Sequence, residues 1–594
     1  MKKTYSLTAL SLLSLCGCGN DANAPADATI DSGADAGIVD APVSDTSSDD
    51  GSTPGFEFDI TWSPCSLMTE GADERAECAN IEVPLHWSEP QGDHISLFLK
   101  RVRGTPGGGQ AWFLTGGPGQ AASDLEPLVE QLIPLSPNHS FYLLDHRGVG
   151  RSTKLRCPSS EGTDSANSIG LGEGESAACL EEVRAEWTDA QLAGFSSTNA
   201  AHDVGKLIAH LREGDEVVGL MGGSYGTLWL ERYLNLYPEQ PSSVVFTAIA
   251  VAVDLLSVDR YVDDLTRRWL GACDAGDNCG VRFQNAFDRT ALEVGIDTFS
   301  GAGKELCPEL AALDLTVPVL KPFFGQLFDT LEGRSLFLPI VYRMARCEDR
   351  DVAAISNLSA ALTPPEGAPD IPLTVRNWGF VLGENIAVSE LTRDRTAEEV
   401  RTDYDNAIGV QGVTPRLSES RAIWPRFDAP PFTNSNYQGK LLLLHGEYDF
   451  LPTEVYEPTV DHYLRTNPNA DFVLLPGAPH SMESPTTTGS QCGISLAVSR
   501  VLSPNAVVAD CASDVLPLAF EPPAALSTAL FGTDDPWDGS PPEMSGGSSG
   551  SMARRAQSAP FSREARPWSG ARPVPHARSF APTTRPVRTS LPTR

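Results

Sequence analysis

Three polar residues of this 594-residue chain stand where apolar runs end: Ser224, Asp449 and His480. A serine hydroxyl attacks poorly unless a base takes its proton as the new bond forms, and that base must be held in one tautomer by a third group. Serine, imidazole and carboxylate are the parts such acyl-transfer chemistry requires. Ser224 lies in Gly222-Gly223-Ser224-Tyr225-Gly226, after the apolar run Val217 to Met221 and before a helical pattern that Pro238 halts. That order predicts strand, sharp turn and helix, with the serine raised on strained backbone between glycines that let strand and helix pass closely.

The partners are sought at other predicted strand ends. Lys440 to Leu444 reads as a buried strand and delivers His445-Gly446-Glu447-Tyr448-Asp449; Asp471 to Leu475 reads as the last strand and delivers Pro479-His480. Glu447 is an alternative acid, but it lies nearer the strand end than Asp449. His445 is an alternative base, but it precedes the acid, and the order serine, acid, histidine favours His480. An oxyanion needs N–H donors already aimed at it. One is expected from Tyr225, after the nucleophile, and one from the turn Thr115-Gly116-Gly117-Pro118-Gly119, where Gly117 is preferred. Without a following Gly-Lys-Ser/Thr, that turn does not read as a phosphate cradle. Asp145 and Arg147 lie in a charged turn after another strand, Phe141 to Leu144, and read as structural ties between loops.

Stepping out to the elements, strands alternate with helices. Ile81 to Trp87, His94 to Val102, Ala111 to Leu114, Phe141 to Leu144, the run before Ser224 and Ser243 to Val253 are β-like, and Thr198 to Leu211 has helical spacing. This predicts an α/β class with a mostly parallel sheet and helices on both faces. Between 254 and 432 the strands disappear, as in a mainly helical insertion. The resulting division is a signal peptide at 1–17, an acidic tether at 18–55, the N-terminal part of the core at 56–253, a helical cap at 254–432, the C-terminal part of the core at 433–535, and a basic disordered tail at 536–594.

Taken together, the motifs resemble a known family, the prolyl aminopeptidase and tripeptidyl aminopeptidase group of serine peptidases with the α/β-hydrolase fold. The resemblance is carried by Gly116-Gly117-Pro118-Gly119, by Asp145 to Ser152 (DHRGVGRS), by Gly222 to Thr227 (GGSYGT), by the acid and base loops, and by Cys65 and Cys78 before Val83-Pro84-Leu85. Cys492 and Cys511 resemble the C-terminal region of the tripeptidyl aminopeptidase-like members. It implies release of residues from free peptide N-termini, with a cap carboxylate holding the α-ammonium group. Cys347-Glu348-Asp349 looks like the cysteine-then-acid element of the tripeptidyl group and nominates Glu348. Two departures, Thr115 before GGPG and Thr247-Ala248-Ile249-Ala250 in place of an Asp-Gly ending, bear on substrate class. An esterase or lipase with the same triad, and a non-catalytic surface lipoprotein that kept the fold, are the other readings.

Composition sets the setting. A net charge of -34 and a pI near 4.6 exclude an extended basic face for nucleic acid. Met1-Lys2-Lys3 followed by an apolar run from Leu7 to Leu15 reads as an export signal, and Leu15-Cys16-Gly17-Cys18 resembles a bacterial lipobox, implying cleavage before and acylation of Cys18. The remaining ten cysteines suit disulfides in an exported chain, paired as sequence neighbours: Cys65 with Cys78, Cys157 with Cys179, Cys273 with Cys279, Cys307 with Cys347, and Cys492 with Cys511. No HExxH run or zinc-type cysteine spacing is present, so neither metal nor cofactor is expected. The expected partners are peptide substrates and, through the lipid anchor, a membrane.

If Cys18 carries the anchor, the protein expressed with its signal partitions into detergent with the membrane fraction and Cys18→Ser releases it to the aqueous phase. Unchanged partitioning of Cys18→Ser rules the anchor out.

Overall fold

The computed structural model describes residues 56–161, 170–276, 278–362, 377–483, 485–486, 491–508 and 515–542. The expected export segment, Cys16, Cys18, Cys511 and the basic tail beyond 542 lie outside them. No described helix is long and apolar enough to cross a membrane.

Nine strands form one sheet: β1 Ser63–Cys65, β2 Ala76–Pro84, β3 His94–Val102, β4 Gly109–Leu114, β5 His139–Leu144, β6 Val218–Gly223, β7 Ser243–Thr247, β8 Lys440–Gly446 and β9 Ala470–Leu475. Their spatial order is β1-β2-β3-β5-β4-β6-β7-β8-β9. The first three strands meet antiparallel and β3 meets β5 antiparallel; from β5 onward every neighbour is parallel. Parallel strands covered by helices on both faces read as unbroken apolar runs. That is why β4 (GQAWFL) and β7 (SVVFT) are buried at every position, whereas the edge strand β9 is largely half-buried or exposed. Chain order reverses around β4, which lies between β5 and β6, and open α/β sheets place their sites beyond the carboxyl ends of strands at such a point. This is the α/β-hydrolase topology.

Two helices seat β6. Helix α1, Ser197–Leu211, is capped by Ser196, whose side chain accepts from the Asn199 N–H, and its buried face includes Val204, Leu207 and Ile208. Helix α2, Tyr225–Leu236, follows the Ser224 turn and is buried along most of its length. The charged turn after β5 is structural, as expected: the Arg147 guanidinium pairs with Asp203 of α1 at 2.6 Å and donates to the Leu85 and Gly194 carbonyls.

The insertion between β7 and β8 is helical. Helices α3 Val258–Asp274, α4 Val317–Leu327, α5 Leu331–Arg346 and α6 Asp349–Leu362 share a second hydrophobic core that includes Trp269, Phe324, Phe337 and Ile355. Its later part behaves differently: Val381, Leu382 and Ile386 of α7, Phe380–Ile386, and Trp424 beyond it pack into the main core.

Three expectations need correction. The β-rich run from Ser243 stops at Thr247, because Ala248 turns into the left-handed region at φ 49°. Residues after helix α8, Cys492–Leu502, do not all serve the hydrolase core: α9, Ala524–Phe531, lies on the cap, where Asn357 of α6 donates to the Phe531 carbonyl at 3.3 Å. The tail does not begin at 536, because Trp537 is 1% exposed in the cap core and its Nε1–H donates to Glu521 at 2.8 Å. Arg343 donates to the carbonyls of Asp535, Pro536 and Gly539, and Arg346 to that of Trp537, so residues 535–539 form a strap held along its length.

Disulfides join Cys65–Cys78, Cys157–Cys179, Cys273–Cys279 and Cys307–Cys347, as neighbour pairing suggests. Cys492 is also disulfide-bonded.

Replacing a fully buried tryptophan leaves a large cavity, so Trp537→Ala costs about 3–5 kcal/mol of stability in urea unfolding. A midpoint equal to wild type excludes the strap from the cap core.

Candidate active site

Ser224 occupies the turn between β6 and α2 with φ 53° and ψ -124°, a conformation that side-chain-bearing residues rarely adopt. Neighbours hold it there. Its N–H donates to the Thr247 carbonyl at 3.0 Å, and its carbonyl accepts from the Thr227 N–H and hydroxyl at 2.9 and 2.7 Å. The crossing is tight enough to exclude side chains: a Cβ on Gly226 would lie 2.4 Å from the Leu114 carbonyl oxygen, and one on Gly222 2.3 Å from that of Gly226. The glycines of the motif are thus required by packing as well as by the turn.

The acid and base arrive from β8 and β9. His480 Nδ1 lies 2.8 and 2.9 Å from the two oxygens of Asp449, so its N–H is shared by that carboxylate and the other ring nitrogen is left as the base. The loops are tied together by backbone bonds, Glu447 N–H to Leu475 O and Tyr448 N–H to Ala478 O, both at 2.9 Å. Phe450 lies against the imidazole with ring centroids 4.5 Å apart. Ser224 and His480 are presented from the carboxyl ends of β6 and β9, and the structure shows no hydrogen bond between them; such bonds often tighten only when substrate is in place.

The alternatives to these residues have other work. Glu447 accepts from the Gly477 N–H at 2.8 Å, fastening the acid loop to the base loop. His445 is buried, with Nδ1 accepting from the Ile249 N–H at 3.1 Å and Nε2 donating to the Leu451 carbonyl at 3.0 Å; burial lowers its pKa and keeps it neutral.

Electrostatics favour a charged-pair arrangement at His480. Burial opposes the imidazolium, but the adjacent Asp449 carboxylate, its hydrogen bond and the more distant Asp329 outweigh burial and raise the His480 pKa above its ordinary value. Burial likewise opposes the Asp449 anion, and the field of His480 with the hydrogen bonds from His480 and the Leu451 N–H overcomes it, leaving the carboxyl below its ordinary range.

The turn after β4 holds Gly117 at φ 107°, exposed beside the buried Gly116. Gly116 has spent its N–H on Gln120 Oε1 at 3.0 Å, leaving Gly117 as a donor from this turn. Tyr225, the first residue of α2, has no intrahelical acceptor for its own N–H. Its side chain is locked: the hydroxyl lies 3.1 Å from His146 Nε2, while His146 Nδ1 donates to the Arg147 carbonyl at 2.7 Å. Burial drives the His146 pKa down to about 3, so the ring is neutral and accepts from the tyrosine.

Glu348 is not among these groups. Its carboxylate is half-exposed at the entry to α6 and pairs with Arg350 at 2.9 Å, and its N–H donates to Asp351. A cap residue tied to the base loop is Asp329, in the connection between α4 and α5. Its carbonyl accepts from the Ser481 N–H at 3.1 Å, and its Oδ1 is shielded from solvent without a hydrogen bond. Burial raises its carboxyl to about 6, with His480 pulling it down. Glu483, three residues past His480, accepts from the Leu331 N–H at 3.0 Å and makes a second tie to the cap. Neither acid was recoverable from a sequence motif; Glu483 had only its closeness to His480.

Among the described residues the grouping with metal-ligand proximity is Cys307, Glu309 and Cys347, whose two sulfurs are joined in a disulfide. It offers no thiolate pair to an ion.

No protein-family model and no curated protein matches the chain. Solved structures align distantly. An epoxide hydrolase from an endophytic Streptomyces shares 14% identity over 69% of this chain and 92% of its own, with a TM-score of 0.29. A proline iminopeptidase of Mycobacterium smegmatis shares 16% over 68% and 92%, TM-score 0.29. An esterase from Thermogutta terrifontis shares 12% over 68% and 91%, TM-score 0.26. At these scores none carries an argument about this chain's reaction.

A base must be neutral to accept a proton, so a raised His480 pKa places the acid limb of kcat/KM above the ordinary histidine value near 6.5. The rate falls as pH drops through that limb. Asp329→Asn removes one group that favours the imidazolium and moves the limb to lower pH; a limb that stays in place or moves up removes Asp329 from the electrostatics of the base.

Proposed function

We propose that this protein is a serine hydrolase that releases residues from the free N-termini of peptides. Ser224 attacks the scissile carbonyl, His480 takes its proton and then protonates the leaving amine, and Asp449 holds the imidazole in its tautomer and stabilises the imidazolium. The Gly117 and Tyr225 N–H groups receive the oxyanion. No step calls for a metal or cofactor.

The observation that carries the peptide reading is Asp329. A cap carboxylate beside the base, with one oxygen unpaired and shielded from water, is expensive to leave empty. With its pKa at about 6 it is mostly ionised at neutral pH, where a peptide α-ammonium group is largely charged as well. A cation held there places the first residues of the substrate over Ser224, whereas a neutral ester leaves the carboxylate unpaired. The disulfides fit the exported setting read from the N-terminus, and anchoring through Cys18 keeps the enzyme at a membrane surface.

The purified protein is assayed on free and N-acetylated peptide anilides and on p-nitrophenyl esters. Free peptides are cleaved and acetylated ones are not; Ser224→Ala abolishes turnover, and Asp329→Asn, assayed above the acid limb, raises KM about 10-fold or more for free peptides while leaving the KM for esters unaffected. Turnover of esters alone selects the esterase reading. Turnover unchanged in Ser224→Ala removes the triad, and no turnover of any of the three leaves the non-catalytic lipoprotein.

A further inference from the structure

The turn after β4 contains a device that its glycines alone do not explain. Gly116 is buried and so close to the nucleophile that a Cβ there would lie 3.2 Å from Ser224 Cβ. Its N–H is therefore buried with it, where a donor without a partner is costly. The Gln120 side chain supplies the acceptor, Oε1 at 3.0 Å, while its backbone closes the turn: the Gln120 N–H donates to the Gly116 carbonyl at 3.3 Å, and its carbonyl accepts from the Thr115 hydroxyl at 2.8 Å.

We propose that Gln120 is a positioning residue of the oxyanion loop, whose side-chain carbonyl takes up the Gly116 N–H and fixes Gly117 as the donor the loop presents. The inference rests on Ser224 being the nucleophile and is indifferent to whether the substrate is peptide or ester. Without the Gln120 acceptor, the buried Gly116 N–H must turn toward another partner, and the peptide unit that carries the Gly117 N–H turns with it. The far side of Gln120 faces Asp124, which is buried and whose Oδ1 has no hydrogen bond. Burial lifts that carboxyl to about 7, offset in part by Gln120, with Asp145 and Glu126 adding to the rise. The amide of Gln120 thus lies between the loop and a carboxyl group that can either accept or donate.

The test compares Gln120→Met, which keeps length and removes the acceptor, with Gln120→Glu, which keeps an acceptor for the Gly116 N–H and can take a proton from Asp124. Rates are measured on whichever substrate the wild type turns over, with phenylboronic acid as a probe that forms a tetrahedral adduct on the serine. Gln120→Met lowers kcat about 10- to 100-fold with KM changed less than about twofold, and weakens the boronate by a similar factor. Gln120→Glu recovers most of both, and both variants melt within a few degrees of wild type. Wild-type kcat and boronate affinity in Gln120→Met, or equal losses in both variants accompanied by lowered melting temperature, overturn the role. A rate that disappears in Ser224→Ala but stays at the wild-type value in Gln120→Met overturns this role alone, whereas a rate unchanged in Ser224→Ala overturns the reading on which it rests.

Discussion

A carboxylate taken out of water needs a partner of opposite charge, and here the burial of Asp449 beside His480 organises the surrounding chain. Asp449 side-chain exposure is 0% and that of His480 is 17%, so the pair is sealed on the acid side and open on the base side. Every loop nearby contributes to this asymmetry. Glu447 and Tyr448 fasten the end of β8 to the segment after β9, Phe450 covers one face of the imidazole, and the Leu451 N–H donates to the carboxylate at 2.9 Å. The cap closes the arrangement through Asp329 and Glu483, so its helices brace the two loops that carry the charge pair as well as roofing the site.

The Ser224 side of the site obeys a different constraint. It is fixed by the closeness of β4, β6 and α2, where backbone approaches backbone at Gly222 and Gly226. One half of the constellation is therefore set by electrostatics and the other by packing, each at the carboxyl end of parallel strands. This division explains why the nucleophile turn tolerates a strained backbone. The strain is held by hydrogen bonds to the Thr247 carbonyl and from Thr227, which belong to the adjacent strand and to the first turn of α2.

What could be read in the chain followed from how local each signal is. The strands announce themselves as short apolar runs, and the Ser224 turn and the Asp449–His480 pair were legible because each of the three residues follows such a run. Neighbouring cysteines likewise predict their own pairing when the intervening loop is short. The cap gave no such help. Asp329 sits between apolar helices with no motif around it, and its nearness to His480 is created by contacts between segments about 150 residues apart; Leu331 with Glu483 shows the same reach. Glu348 had a motif and no site, because cysteine-then-acid describes how α5 ends at Cys347 and α6 begins, which is a matter of helix capping and of Asp351 accepting the Glu348 N–H. The strap was missed because Trp537 lies among Gly, Pro, Ser and Asp residues that look like linker, and one buried ring is enough to order them.

That ring also bears on when the protein becomes complete. The cap core gathers side chains from Leu265 through Leu358 and is finished by Phe531 and Trp537. Those last two emerge from the ribosome, and from any export channel, after nearly everything else has passed. Contacts between segments so far apart form late and slowly. The cap, and with it the bracing of Asp449 and His480, therefore matures only once the whole ordered chain is available, so the arrangement around the charge pair is a late product of folding.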